Sequence, residues 1–168
     1  ELVNQARARG AELDVVIAPC SGGGLLAGIA TAVKAMSPAT DLYGVEPAGY
    51  DDTQTSLRAG RRTPLTPTHR TLCDALETPC PGELTFPILQ QTVTDVAVVT
   101  DAEVAEAMRL AFTTLKLVVE PGGSVGLAAL MTGKMIPQAT GLSSQQVSYV
   151  SDYLSEATVA DDSWIEAM

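Results

Sequence analysis

Apolar positions along this chain switch between two periods. Asp14-Val15-Val16-Ile17-Ala18-Pro19 is continuously apolar between its aspartate and its proline, the pattern of a short strand buried on both faces. From Leu25 the spacing becomes helical: Leu25, Leu26, Ile29, Val33 and Met36 share a face, and Ser37-Pro38 ends the run. A residue before proline avoids helical backbone. Residues 41–45 predict a second strand and Asp51 to Leu57 a short helix, while Leu2 to Arg9 reads as the back of a helix. The first sixty residues therefore form a β-α-β unit, which implies parallel strands with helices on their faces.

Residues 60–82 are rich in Arg, Thr and Pro and carry no period, so they read as a long loop crossing the surface or rimming a site. Residues 93–99 predict a third strand. Thr100-Asp101-Ala102-Glu103 has the spacing of a capping box, and Val104, Met108, Ala111, Phe112 and Leu115 continue one apolar stripe beyond it. Pro121-Gly122-Gly123 predicts a break, followed by a second helical run over 125–130, and 146–150 is a candidate last strand. No internal repeat is present. The expected fold class is α/β, a parallel twisted sheet flanked by helices.

Composition narrows the function classes. With 168 residues, 46% of them apolar, the chain can bury one core. Ten basic against twenty acidic residues give a net charge of −10, which repels phosphate backbones and anionic membrane surfaces. No nucleic-acid partner and no membrane association are expected. Apolar stretches are interrupted well short of the roughly 20 residues that cross a bilayer, and no basic-then-apolar leader opens the chain, so the expected location is cytoplasmic. Cys20, Cys73 and Cys80 are odd in number without C-x-x-C spacing and read as reduced thiols. His69 is the single histidine, which leaves little for imidazole zinc sites or Ser-His-Asp triads, and its loop reads as solvated.

The candidate chemistry lies in Cys20-Ser21-Gly22-Gly23-Gly24-Leu25, between the first strand and its helix. Successive backbone N–H groups and the helix dipole can converge there on a phosphate, and glycines admit close backbone approach. A glycine-rich tight turn that merely packs helix on strand is the other reading of the same residues. The loop matches neither G-x-G-x-x-G nor G-x-x-x-x-G-K-[ST].

Three motifs in order carry a resemblance: S-G-G-G-L-L-A-G at Ser21 to Gly28, V-E-P at Val45 to Pro47, and E-P-G-G-S-V-G-L-A-A at Glu120 to Ala129. Over roughly residues 10 to 135 the chain resembles the fold-type-II pyridoxal-phosphate enzymes, in particular threonine/serine dehydratases and serine racemases. The resemblance implies a tryptophan synthase β-like large domain over 1–150, with pyridoxal 5'-phosphate held by Ser21, Gly22, Gly23, Gly24 and Leu25. It places Asp74-Ala75 at the family's short turn beside the cofactor, often Asp-Gly, so Ala75 is a mild departure. It sets Glu120 where the chain runs past the cofactor ring; a plain helix-end carboxylate pairing with Lys116 is the alternative.

The same resemblance implies a divalent cation, Mg2+ or Ca2+, on Glu46, the carbonyl of Tyr50, and Asp52. Two carboxylates on one tight loop suit such hard ions, although Asp51 and Asp52 also suit simple helix capping. The family's lysine, which holds the cofactor covalently and takes the α-proton, belongs to an upstream Ser/Asn-Phe-Lys segment that has no counterpart here. Lys34, Lys116 and Lys134 read as surface charges, so no catalytic residue is assigned. Glu1 opens without a methionine, and the chain reads as a C-terminal fragment lacking the small domain and inactive alone. Ser151 is the closest match to the serine that meets the ring nitrogen, and residues 151–168 read as an atypical tail.

The implied activity of the parent enzyme is dehydration and deamination of L-threonine or L-serine to a 2-oxo acid and ammonia, in a homodimer acting on a small amino acid. Serine racemisation and 3-hydroxyaspartate dehydration are implied alternatives, because all begin with the same proton abstraction. A non-enzymatic phosphate or nucleotide binder with a Rossmann-like core uses the same strand-loop-helix.

Overall fold

A computed structural model describes residues 1–134; the candidate strand at 146–150, Ser151 and the segment 151–168 lie outside them. The described elements follow in order as α1 (Leu2–Ala8), β1 (Val15–Pro19), α2 (Gly24–Met36), β2 (Asp41–Pro47), α3 (Asp52–Ala59), a 3-10 turn (Asp74–Leu76), α4 (Phe86–Thr92), β3 (Asp95–Val99), α5 (Asp101–Thr113) and α6 (Pro121–Met131). The three strands pair in the order β1-β2-β3, all parallel. Central β2 buries every residue after Asp41, as a strand covered on both faces must.

Strand alternation sorts the core into two layers. Tyr43, Val45, Ala97 and Val99 face one side and pack with Val104 and Ala107 of α5 and Val125, Ala128 and Ala129 of α6. On the other side Val16 and Leu42 meet Val3, Ala30 and Val33, while Ala18 meets Leu26, Ala27 and Leu89. Gly44 belongs to this second side, and a β-carbon there would come within 2.9 Å of Leu26 Cδ2. The absence of a side chain at that point lets Leu26 of α2 lie close to the strand.

Several expectations are corrected by the packing. β2 runs on through Glu46 and Pro47, which pair with Val98 and Val99 of β3. The buried face of α5 is Val104, Ala107, Leu110 and Ala111, whereas Phe112 and Leu115 are exposed. Pro121-Gly122-Gly123 does not break a helix but begins α6, where the missing proline N–H would be unpaired anyway. The interruption falls on residues 114–120, and Lys116 takes a left-handed φ of 57° there. The segment 60–82 is not all loop, since it holds the 3-10 turn, and α4 follows it before β3. Lys34 is not simply solvated: its ammonium donates to the carbonyls of Pro38 at 3.2 Å and Thr40 at 2.8 Å. The cysteines are free, with Cys20 and Cys73 buried.

The capping box of α5 is complete. Thr100 Oγ1 accepts from the Glu103 amide at 3.3 Å, and Glu103 Oε2 accepts from the Thr100 amide at 2.6 Å. Thr100→Ala removes one arm and is expected to lower stability by about 1 kcal/mol, read as a lower urea midpoint at unchanged slope.

Candidate functional site

β1 ends at Pro19 and the chain turns through Cys20 to Gly23 before α2 begins at Gly24. Gly23 has φ of 86°, and a β-carbon on it would come within 2.7 Å of Leu89 Cδ1. Backbone conformation and space both require glycine at this position. A β-carbon at Gly24, in contrast, would meet nothing within 4 Å. No group among the described residues accepts a hydrogen bond from the amides of Gly22 or Gly23. Donors without acceptors, set before the positive end of a 13-residue helix, form an anion cradle.

The cradle opens into a cavity of about 270 Å³. Ser21, Gly22, Gly23, Gly24 and Leu25 all line it, together with Ala75, Leu76, Glu120, Gly122 and Gly123. Glu120 is the N-cap residue of α6, exposed, with its carboxylate unused for capping. Gly122 sits against the 3-10 turn, where a β-carbon would reach Leu76 at 3.4 Å and Ala75 at 3.7 Å. The Glu-Pro-Gly-Gly motif thus forms a wall opposite the glycine loop. Asp74 opens the 3-10 turn but is exposed and does not line the cavity; its neighbour Ala75 does. That turn is tied down by Asp101, whose carboxylate accepts from Thr71 Oγ1 at 2.5 Å and from the Leu72 amide at 3.1 Å.

Behind the loop lies the carboxylate pair. Glu46 and Asp52 are fully buried. Glu46 leaves the end of β2 and accepts from the amides of Thr53 and Gln54, each at 3.0 Å. Both oxygens of Asp52 are buried and find no hydrogen-bond partner. Burial pushes Glu46 up to about 8, against the hydrogen bonds that favour its charged form, and pushes Asp52 up to about 7, with the charge of Asp51 adding to the rise. Neither aspartate caps α3: Asp51 makes no side-chain capping bond, and Glu46 satisfies the first-turn amides in its place. Tyr50 is buried beside them, its hydroxyl donating to the His69 carbonyl at 2.9 Å. Among the described residues no three His, Cys, Asp or Glu side chains converge. A cation here would have two carboxylates, the Tyr50 carbonyl and water as ligands, an all-oxygen set that suits Mg2+ or Ca2+. The orphaned Asp52 carboxylate is the feature of this loop that such an ion would satisfy.

Cys20 lies between the two sites. Its thiol is 3.4 Å from Thr53 Oγ1 and is pushed up to about 12 by burial and by Glu46, which makes it inert as a nucleophile. Thr53 Oγ1 also approaches the Ser21 carbonyl at 3.4 Å. Residues that sequence reasoning missed stand on the far side of the loop: Ser21 Oγ donates to Thr78 Oγ1 at 2.6 Å, and Thr85 Oγ1 donates to the Gly22 carbonyl at 2.6 Å. Pro81-Gly82 as a turn signal and Pro87 near a helix start could have marked this segment as ordered. The chain's three lysines are all described, and none lines the cavity.

Comparison with known proteins agrees with this geometry. Residues 1–151 match the family model described as pyridoxal-phosphate dependent enzyme. Serine racemase of Oryza sativa subsp. indica is 40% identical over 121 residues, 72% of this chain and 35% of that protein. L-threo-3-hydroxyaspartate ammonia-lyase of Pseudomonas sp is 43% identical over 118 residues, 70% of this chain and 37% of that protein. Among solved structures, a threonine deaminase of T.th. superposes with a TM-score of 0.77 at 48% identity, covering 82% of this chain and 49% of the other. The chain thus spans about a third of the length of the curated relatives it matches. A glycine cradle at the end of a parallel strand, a facing Glu-Pro-Gly-Gly wall and this likeness across most of the sequence place the chain in the family of pyridoxal-phosphate-dependent enzymes.

Proposed function

We propose that this chain is the cofactor-phosphate-holding part of an ammonia-lyase that dehydrates and deaminates L-threonine or L-serine to a 2-oxo acid and ammonia. The observation that carries the reading is the set of unpaired Gly22 and Gly23 amides in a loop that lines a cavity also walled by Glu120, Gly122 and Gly123. The amides and the start of α2 bind the phosphate, and the glycines exclude the side chains that would fill its place. Ala75, Leu76 and Gly122 shape the opposite wall, and the Glu120 carboxylate would be available there to the bound cofactor. Bound there, pyridoxal phosphate supplies the electron sink that stabilises the carbanion left by loss of the α-proton.

Lys34, Lys116 and Lys134 engage carbonyls or Glu103 away from the cavity, so the amine that moves the α-proton comes from outside these residues. Activity therefore belongs to the whole protein, acting on a small amino acid and assembled as a homodimer. Racemisation of serine is the second reading, supported by the 40% identity to a plant serine racemase, and dehydration of L-threo-3-hydroxyaspartate a third, on 43% identity to that ammonia-lyase. The full-length protein, incubated with each of these amino acids, is expected to release 2-oxo acid and ammonia from threonine or serine. Inverted serine without 2-oxo acid would instead establish the racemase.

Gly24→Asp puts a carboxylate into the cradle without steric conflict and at a helix start that tolerates it. Affinity for pyridoxal phosphate should fall by about tenfold or more at unchanged melting temperature. Unchanged affinity sinks the phosphate reading.

The cation reading, with ligands Glu46, Tyr50 and Asp52, has its own test. Without divalent ions, Glu46 and Asp52 bind protons more tightly folded than unfolded. Stability should then fall as pH rises from the ordinary carboxylate range through about 7 to 8, and level off above. Melting curves in chelator at pH 6 and pH 8.5 read this slope. Adding Mg2+ or Ca2+ at pH 8.5 should raise the melting temperature, and Asp52→Asn should abolish that gain.

A further inference from the structure

The glycine loop is gripped from the side away from its cavity. Thr85 Oγ1 donates to the Gly22 carbonyl at 2.6 Å, and the Gly82 amide donates to the same oxygen at 3.0 Å. A carbonyl has two lone pairs and accepts both. Thr85 occupies the N-cap position of α4, where a threonine hydroxyl ordinarily accepts from its own helix, yet it makes no such bond. Its approach to the Gly82 carbonyl, at 3.3 Å, is the longer alternative for the single hydroxyl proton.

This contact leaves no slack. A β-carbon on Gly82 would lie 2.8 Å from Thr85 Oγ1 and 3.2 Å from the Gly22 carbonyl, and one on Gly23 would lie 3.0 Å from Thr85 Oγ1. Two glycines from segments sixty residues apart in sequence therefore close around one hydroxyl. None of Thr78, Gly82 and Thr85 lines the cavity, whereas Gly22, Gly23 and Gly24 do.

The consequence follows from peptide geometry. No cis bond occurs among the described residues, so the Gly22 carbonyl and the Gly23 N–H point in opposite directions across their shared plane. Drawing the carbonyl toward Thr85 and Gly82 turns the Gly23 N–H away from them, to the side on which the cavity lies. We propose that Thr85 is a positioning residue for phosphate recognition: by holding the Gly22 carbonyl from behind, it fixes the Gly23 amide as a phosphate donor. The inference rests on the reading of the glycine loop as the phosphate cradle. Thr85 touches neither phosphate nor reacting atoms and acts through the peptide it holds.

The test compares pyridoxal phosphate with pyridoxal, which lacks the phosphate, by equilibrium dialysis against the full-length protein. Thr85→Val keeps the shape and deletes the hydroxyl. It should weaken pyridoxal phosphate binding by about five- to tenfold while leaving pyridoxal within about twofold. Thr85→Ser, which restores the hydroxyl, should recover the phosphate-dependent part. Thr85→Ala asks for no space and reports the same difference if valine disturbs the turn. Equal weakening of both ligands means that Thr85 serves only the fold, and no change in either means that it serves nothing at the loop; both overturn the proposal. Gly24→Asp on the same preparation separates the two levels: if that variant binds pyridoxal phosphate normally, the cradle reading itself fails and the proposal falls with it.

Discussion

Parallel pairing of β2 with both neighbours sets the geometry on which everything else rests. Because the strands run the same way and in close register, Pro19 lies opposite Val45, and Pro47 opposite Val99. All three strands therefore stop at one edge, and the segments that follow them emerge side by side. In open α/β sheets this carboxyl edge is where ligands bind. The glycine loop after β1 and the segment from Glu46, near the end of β2, to Asp52 at the start of α3 become neighbours there, although about twenty-five residues separate them in sequence. The contacts among Cys20, Thr53 and the Ser21 carbonyl record that adjacency.

Elements with a strong local signal were legible in the sequence. β1, α2 and the capped start of α5 announce themselves through an unbroken apolar run, a regular helical stripe and a reciprocal cap, each complete within a few residues. Errors arose where a local rule met a tertiary one. Phe112 continues the apolar spacing of α5, but α6 covers the face formed by Val104 and Ala107, and Phe112 stays exposed. Glycines after Pro121 look like a break, yet the helix accepts them in its first turn, where Gly122 is buried against Leu76 and Ala75 of the 3-10 turn.

The site was legible to the same degree. Ser21 to Leu25 form a contiguous motif at a strand-to-helix turn, a local pattern visible in the sequence, and the structure sets all five along one cavity. Ala75 lines the cavity and Asp74 does not, because a 3-10 turn sends adjacent side chains in different directions, and no sequence period specifies which of them faces the cavity. Thr78 and Thr85 could not be found from spacing. Their partners are Ser21 and the Gly22 carbonyl, 57 and 63 residues away, and a lone threonine in a proline-rich stretch carries no mark of such a contact.

The way Glu46 finishes α3 bears on how the chain acquires its structure. An eight-residue helix is too short to persist in water by itself, and neither of the two aspartates at its start closes its exposed amides. The acceptor that does so belongs to a strand, and that strand is held only when its two neighbours are already alongside. Helicity in residues 52–59 is thus a late and collective property, present once the sheet is assembled and lost together with it.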